Sequence, residues 1–476
     1  MKSKLLRILF LTLFGCASFY LFRSWKVHKE KTVFEVEAPE FTDTALDINE
    51  LSTSFPNPVW FVKTDSPVIC FKMTFKNEGD RSFCSTPCLL DVVIGTLVNG
   101  AGDKDGIALK KALSEKSIDL AISNDADDII VTVSCLERYF EDAVGLLCDI
   151  MSKAHLKQEK LEIAKQAVIT SMQQSKFDTD RVATEKLSNL IYPAGHPYRW
   201  TYDGSIKAVQ KYTKADADKC YASIFDSKNA LIVLVGNIDT TRIIDAFNKI
   251  YESTTNKTND FKDGQQQTEL LNYGTVAHVE LDNPQSSVVI AFPGILKNSA
   301  EKFAAKMANI ALGGCGFSSR LQKSLRDVDG LVYRINSSIN DGDLQSVACI
   351  SAKMRPENVE KAIELVKEVC QKFYDKGLTQ EELDAFKIYV YANNDLPSNG
   401  DKLEFVSTCR SNSVLVNEVN GYYGHYYKLS LNEVNTTLKK VFDPAKVVVV
   451  SCGQLMKKSN VSRSAKRRSE SIESGE

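Results

Sequence analysis

Apolar and polar positions along the chain alternate in two registers, and the same succession of registers occurs twice. Near residue 58, "PVWFVKTDSPVICFKMTFKNEG" predicts two apolar strands around a Thr-Asp-Ser-Pro turn. "LLDVVIGTLVN" has the run of a buried helix, and "GIALKKALSEK" places apolar residues four apart on a second helix. "IDLAISNDADDIIVTVSC" alternates as a hairpin that turns at Asn124 to Asp128. Four helical patterns follow from Glu137 to about Tyr221, broken by "YPAGHPYRWTYDG". The second half repeats the sequence of elements: strands near 276–293, helices near 300–327 and a hairpin near 331–352. Helices from about 356 to 442 and a last strand at 446–452 complete it.

A direct sequence match supports the repetition. "FDSKNALIVLVG" ends at Gly236 and "FDPAKVVVVSCG" at Gly453, so both the Phe and the Gly recur at an offset of 217 positions. Each match follows an amphipathic helical stretch, "KADADKCYASI" in one half and "LNEVNTTLKKV" in the other. A duplicated domain accounts for both the match and its context. The predicted fold class is therefore α+β, two duplicated units, each a mostly antiparallel sheet covered by helices. The domains expected are 32–254 and 274–455, joined by a polar linker over 255–273 that contains "KDGQQQ".

At 476 residues the chain exceeds a single core, which agrees with two units. A net charge of −2 excludes a broad electrostatic footprint for nucleic acid. The strong basic cluster "KKSNVSRSAKRR" falls in a charged tail, 456–476, with little to bury, and disorder is expected there. At the other end, residues 1–31 form a membrane anchor or signal segment. Leu5 to Phe22 is apolar except for Arg7, nearly long enough to span a bilayer, with Lys or Arg on both flanks. An uncleaved anchor through residues 5–22 and a cleaved signal peptide both fit. Twelve cysteines show no small-domain disulfide spacing, and buried or half-buried thiols are expected of them. Cys84 and Cys88 in "CSTPC" are the closest pair.

The chemistry concentrates in one block, "LGGCGFSSRLQKSLRDVDGLVY". Arg326 and Tyr333 stand seven positions apart across Gly330. Arg326 is expected in the last turn of a helix, Gly330 at a chain reversal and Tyr333 on the following strand. A guanidinium and a phenol aimed at one point can hold a peptide carbonyl and the oxyanion formed from it. The loop with Gly313, Gly314 and Gly316 serves either as a tight turn or, with Phe317, as a surface that extended peptide approaches closely. It makes a poor phosphate cradle, because no Lys-Ser or Lys-Thr pair follows. His196 in "GHPY" fits a structural turn better than a metal ligand.

That block, the duplicated halves and "GHPYRWTYDGSIKAV" together resemble the insulinase/pitrilysin family of zinc peptidases. The resemblance is closest to its half-size branch, which includes mitochondrial processing peptidase subunits and bacterial heterodimeric members. It spans roughly Phe55 to Leu455. The resemblance implies an H-x-x-E-H zinc motif on the first helix, with a further glutamate ligand from a second helix. Aligning "DVVIGTLVNGAG" puts Asp91, Ile94 and Gly95 at the three motif positions, and Thr170 and Ser171 near the expected glutamate. The five histidines are His28, His155, His196, His278 and His425, no two closer than 41 positions, so no helix carries a pair. What matches the family is its other catalytic element, the Arg–Tyr pair of the second domain, at Arg326 and Tyr333.

The resemblance thus implies a non-catalytic subunit of a heterodimeric zinc peptidase. This chain would bind no metal itself and would present Arg326 and Tyr333 to a partner carrying H-x-x-E-H and the zinc. Its substrates would be unfolded peptides, gripped as a strand added to a sheet edge. With the apolar N-terminus, the expected location is the bacterial inner membrane facing the periplasm, or the periplasm itself after signal cleavage. The rival expectation is a membrane-anchored scaffold of the same fold with no share in catalysis. An independently active peptidase is disfavoured by the missing histidine pair.

Overall fold

The computed structural model describes residues 45–76, 87–125, 127–194, 196, 198–254, 270–296, 298–316, 319–342 and 345–454. The anchor or signal segment 1–31 and the tail 456–476 lie outside them, as do 255–269 of the expected linker and Phe317.

Thirteen strands are described, and eleven of them form two sheets. In chain order they are β1 (Asp47–Leu51), β2 (Val59–Lys63), β3 (Val68–Lys76), β4 (Gly100–Ala101), β5 (Lys104–Asp105), β6 (Asp119–Asn124), β7 (Asp128–Leu136) and β8 (Ala230–Gly236). The second half adds β9 (Val276–Glu280), β10 (Ser286–Pro293), β11 (Val332–Asp341), β12 (Ser346–Met354) and β13 (Val448–Gly453). The first sheet runs β1-β2-β8-β3-β7-β6 and the second β9-β13-β10-β12-β11. Without β1, the two orders correspond strand for strand. The pairings correspond as well: β2 with β8 and β9 with β13 are parallel, and the remaining pairs are antiparallel. The α+β class and its duplication are therefore present in the fold. Short β4 and β5 pair only with each other.

The glycine that ends each repeated stretch has a physical reason. Gly236 and Gly453 close β8 and β13 at equivalent positions, and each packs against an equivalent residue, Ile69 in one half and Ser286 in the other. A Cβ on Gly236 would come within 3.2 Å of the Ile69 Cα, and one on Gly453 within 2.8 Å of the Ser286 Cα. Gly453 also has φ 132°, where side chains are rarely accommodated.

Two predicted features differ in the structure. Five α-helices, not four, occupy the described stretch after Glu137: Phe140–Lys153, Gln158–Ser175, Thr179–Ile191, Tyr202–Lys211 and Lys214–Ser223. The extra boundary lies at Tyr212–Thr213, where Thr213 and Asp216 form a capping box that restarts the helix after two non-helical residues. The second difference is β1, which pairs antiparallel with β2 at the sheet edge, although "DINEL" has too mixed a pattern to announce a strand. In the last part of the expected linker, Leu271, Asn272 and Tyr273 are exposed. Leu270 is buried, and Asn272 donates from its side chain to the Leu190 carbonyl at 2.7 Å.

The halves are joined by exchanged helices. Thr179–Ile191 belongs to the first half, yet Ala183, Leu187 and Ile191 pack on Val289, Ala291, Val448 and Val450 of the second sheet. Asn399–Ser411 belongs to the second half and packs on β3 and β8 of the first sheet. These contacts are equivalent, because β3 and β8 correspond to β10 and β13. The helix starts are pinned alike: the Thr179 hydroxyl meets the Ser287 hydroxyl at 2.7 Å, and the Asn399 amide donates to the Val68 carbonyl at 2.7 Å. Fully burying each Leu, Val or Ile contributes about 1.5–3 kcal/mol. Arg410 adds a buried cation to the second junction. Its guanidinium lies 4.8 Å from the Trp60 ring centroid and donates to the carbonyls of Ile232 and Pro58. Burial pushes its pKa down to about 10, which leaves it charged at neutral pH.

The glycine geometry yields a ranking. Gly453→Ala is expected to destabilise by about 1–3 kcal/mol and Gly236→Ala by less, because the nearest backbone atom is closer at Gly453. Urea denaturation of both variants checks the order; equal or reversed losses would contradict the close-approach account.

Candidate functional site

The helix Leu89–Leu97 buries Leu89, Leu90, Val92, Val93, Thr96 and Leu97, which leaves Asp91 and Gly95 on its exposed side and Ile94 half-buried. It crosses the helix Gln158–Ser175. At the crossing, a Cβ on Gly95 would stand 3.5 Å from the Ala164 Cβ. The residues one turn either side of Ala164 are Lys160, Leu161, Ala167 and Val168, none of them acidic. Thr170 and Ser171 are exposed. The place where the family resemblance implies two imidazoles and two carboxylates therefore holds one aspartate, an isoleucine and a glycine, facing a helix stripe without an acid. These residues do not fit a zinc ion. Cys88, beside Asp91, does not change this: burial, then the neighbouring carboxylate, pushes its thiol up to about 12, away from thiolate chemistry. Among the described residues, no group of three or more His, Cys, Asp or Glu could hold a metal ion.

The four described histidines have other partners. His155 donates from Nε2 to the Gly102 carbonyl at 2.8 Å. His196 is buried, stacks on Tyr192 with ring centroids 4.6 Å apart, and accepts at Nδ1 from the Tyr198 N–H at 3.1 Å. His278 contacts Ser451 and Glu280, and His425 stacks on Phe303. All ten described cysteines are free thiols, and Cys84 is outside the described residues.

The second-half block places its residues on the predicted kinds of element. Arg326 lies in the last turn of a π-helical segment, Gln322–Val328, with its side chain exposed. Gly330 has φ 60° and reverses the chain. Tyr333 is the second residue of β11, 47% exposed, on the outer edge of the sheet. The β11–β12 register shifts between Val332 and Arg334, so Tyr333 occupies a bulge. Gln322 is buried beneath this surface. With its amide turned, its nitrogen donates to the Ile335 carbonyl at 3.2 Å and its oxygen accepts from Arg326 Nη1 at 2.8 Å.

The glycines separate. Gly313 is buried at the end of the π-turn Ile310–Gly314, and its Cβ would meet the Ser337 N of β11 at 2.8 Å. Its close approach is therefore helix to strand. A Cβ on Gly314 would lie 3.1 Å from the Asn309 carbonyl. Neither has a positive φ, so no unusual turn angle requires them. Gly316 is exposed, with nothing within 4 Å of a Cβ placed there, and remains available to a ligand.

Sequence reasoning missed three neighbours of Tyr333. Arg355 donates from Nε to the Tyr333 hydroxyl at 3.1 Å. Arg334 and Lys353, paired across β11 and β12, both reach Asp180, at 3.3 and 3.1 Å. Asp180 comes from the exchanged helix Thr179–Ile191, so the first half contributes to this surface. No local motif marks these residues; only the strand register and the helix exchange bring them together.

Comparison with known proteins gives a similarity over part of the chain. Residues 211–389 match the family model described as the peptidase M16 inactive domain. Over those residues the chain is similar to the M16 inactive domain. It is 24% identical over 387 residues to the "Non-peptidase homolog YmxG" of Helicobacter pylori, covering 78% of this chain and 86% of that protein. It is 21% identical to the "Uncharacterized zinc protease SCO5738" of Streptomyces coelicolor over 51% of this chain, and spans only 53% of that protein. Among solved structures, the M16 inactive domain from Pseudomonas fluorescens superposes with TM-score 0.80 at 22% identity, covering 86% of this chain and 98% of that one. A protease from H. pylori follows with TM-score 0.73 at 18% identity, over 86% of this chain and 100% of that one. These likenesses establish an M16-like fold.

Restoring the motif alone is expected to fail. The triple variant Asp91→His, Ile94→Glu, Gly95→His should retain less than one zinc per chain after dialysis, because the facing stripe supplies no carboxylate ligand. Metal analysis checks this; stoichiometric zinc would contradict the geometry.

Proposed function

We propose that this M16 homologue is the substrate-gripping subunit of a two-chain zinc peptidase, in which a homologous partner carries H-x-x-E-H and the metal. The observation that carries the reading is an asymmetry within one chain. The helix expected to bind metal carries no histidine and a single acid, Asp91, whereas Arg326, Gly330 and Tyr333 have a helix-end, reversal and strand arrangement that presents two exposed donors.

Arg326 supplies a fixed cation and Tyr333 a neutral O–H donor, a pair suited to a peptide carbonyl whose oxygen gains negative charge during hydrolysis. The bulge at Tyr333 lies on an open sheet edge, where an extended peptide can add as a strand and bring a carbonyl to the pair. Exposed Gly316 offers close approach to the same peptide; Phe317 belongs to this expected surface by sequence. This chain binds and orients substrate, and the metal chemistry belongs to the partner. The reading further places the protein at a bacterial inner membrane, held through residues 5–22 and facing the periplasm. Among the described residues no helix is long and apolar enough to cross a membrane, and residues 5–22 lie outside that set.

The test is mutation within the complex. Arg326→Ala and Tyr333→Phe are each expected to lower casein hydrolysis by the co-purified pair by about 10²–10³-fold, the usual effect of one oxyanion donor, with assembly on a sizing column unchanged. Full activity in both variants would remove the shared site and favour a scaffold role.

A further inference from the structure

Resting on that reading, we infer that Arg355 is a positioning residue that fixes Tyr333 as a hydrogen-bond donor toward substrate. The inference follows from what the two side chains can do. A guanidinium has only donors, so in the 3.1 Å contact from Arg355 Nε the Tyr333 oxygen must accept. A phenol has one proton, and with its oxygen engaged in this way that proton is directed to a third group. A phenol that accepts from a cation is also a stronger donor, because hydrogen bonds in a chain polarise one another. A carboxylate in place of Arg355 would do the opposite and draw the phenol proton to itself.

The contact is built by the fold rather than made by two loose side chains. Val332 pairs with Met354 and Arg334 with Lys353, so the bulged Tyr333 falls between these pairs, and Arg355, the residue after Met354, reaches the Tyr333 hydroxyl through its side chain. Pro356 follows directly and restricts Arg355 to extended backbone, observed at φ −74° and ψ 149°. The short 3-10 turn Pro356–Asn358 then ties back: the Asn358 N–H donates to the Arg355 carbonyl at 3.0 Å, and its side-chain amide to the Leu331 carbonyl at 2.8 Å. The Arg355 segment is therefore bonded to the Tyr333 segment on both sides of the Val332–Met354 pair. Glu357 is the acid facing Arg355, with 3.9 Å between Nη1 and Oε1, and it leaves Nε to the phenol. The nearby cations Arg334 and Lys353 are engaged by Asp180.

The experiment separates this inference from the reading beneath it. In the isolated full-length chain labelled with [13Cζ]tyrosine, the Tyr333 resonance is identified by its loss in Tyr333→Phe. It is expected to move in Arg355→Met and to return toward its original position in Arg355→Lys. A resonance unmoved in Arg355→Met would overturn the inference and leave the two-chain reading intact. In the co-purified pair, Arg355→Met should reduce casein hydrolysis about tenfold when Tyr333 is present and not at all in the Tyr333→Phe background. Arg355→Glu should lose as much as Tyr333→Phe. An equal loss from Arg355→Met in both backgrounds would show that Arg355 does not act through Tyr333 and would overturn the inference. No loss in Tyr333→Phe itself would overturn the reading instead.

Discussion

The exchange of one helix between two equivalent sheets is the constraint on which everything else in this molecule rests. Thr179–Ile191 covers β10 and β13, and Asn399–Ser411 covers β3 and β8, so neither sheet completes its apolar cover from its own half. The start of each helix is held by a hydrogen bond to the equivalent strand of the opposite half, fully buried at Thr179 and partly buried at Asn399. Arg410 adds a charge that is costly to bury and is offset by two carbonyls and the Trp60 ring. Because the exchange fixes one half against the other, Asp180 of the first half can organise cations beside Tyr333 of the second.

Duplication also separates the two positions on which the proposed division of labour rests. The zinc position and the Arg–Tyr position lie in different halves, on a helix and on a strand edge respectively. At the zinc position, Gly95 and Ala164 lie close together without distorting either helix, so losing the ligands left packing undisturbed. At the other position, the π-segment, the reversal at Gly330 and the bulge at Tyr333 depart from regular structure in three consecutive places. Departures of this kind cluster at functional sites more than at purely structural ones.

Much of the fold was legible because it is written in local periodicity and repeated once. The strands at Val59–Lys63, Val68–Lys76 and Val448–Gly453 are apolar runs bounded by turns, and the repeated glycine marks the same close approach twice. The capping box at Thr213 and the edge strand Asp47–Leu51 escaped because one divides a single helical pattern and the other has no apolar face. The site was half legible. Arg326 and Tyr333 are close in sequence across a glycine, whereas Arg355, Asp180 and Gln322 join them only through register, helix exchange and burial. The packing of Gly313 against β11 was not legible, because a glycine needed for packing and one needed for ligand approach look identical in sequence.

The division of labour between two chains is tested most directly on the tagged full-length protein, purified with whatever binds it and again after a stringent wash that strips partners. The account predicts a co-purifying H-x-x-E-H peptidase, with casein hydrolysis and zinc in the complex, and neither activity nor stoichiometric zinc in the stripped chain. A stripped chain that retains one zinc and digests casein would contradict it.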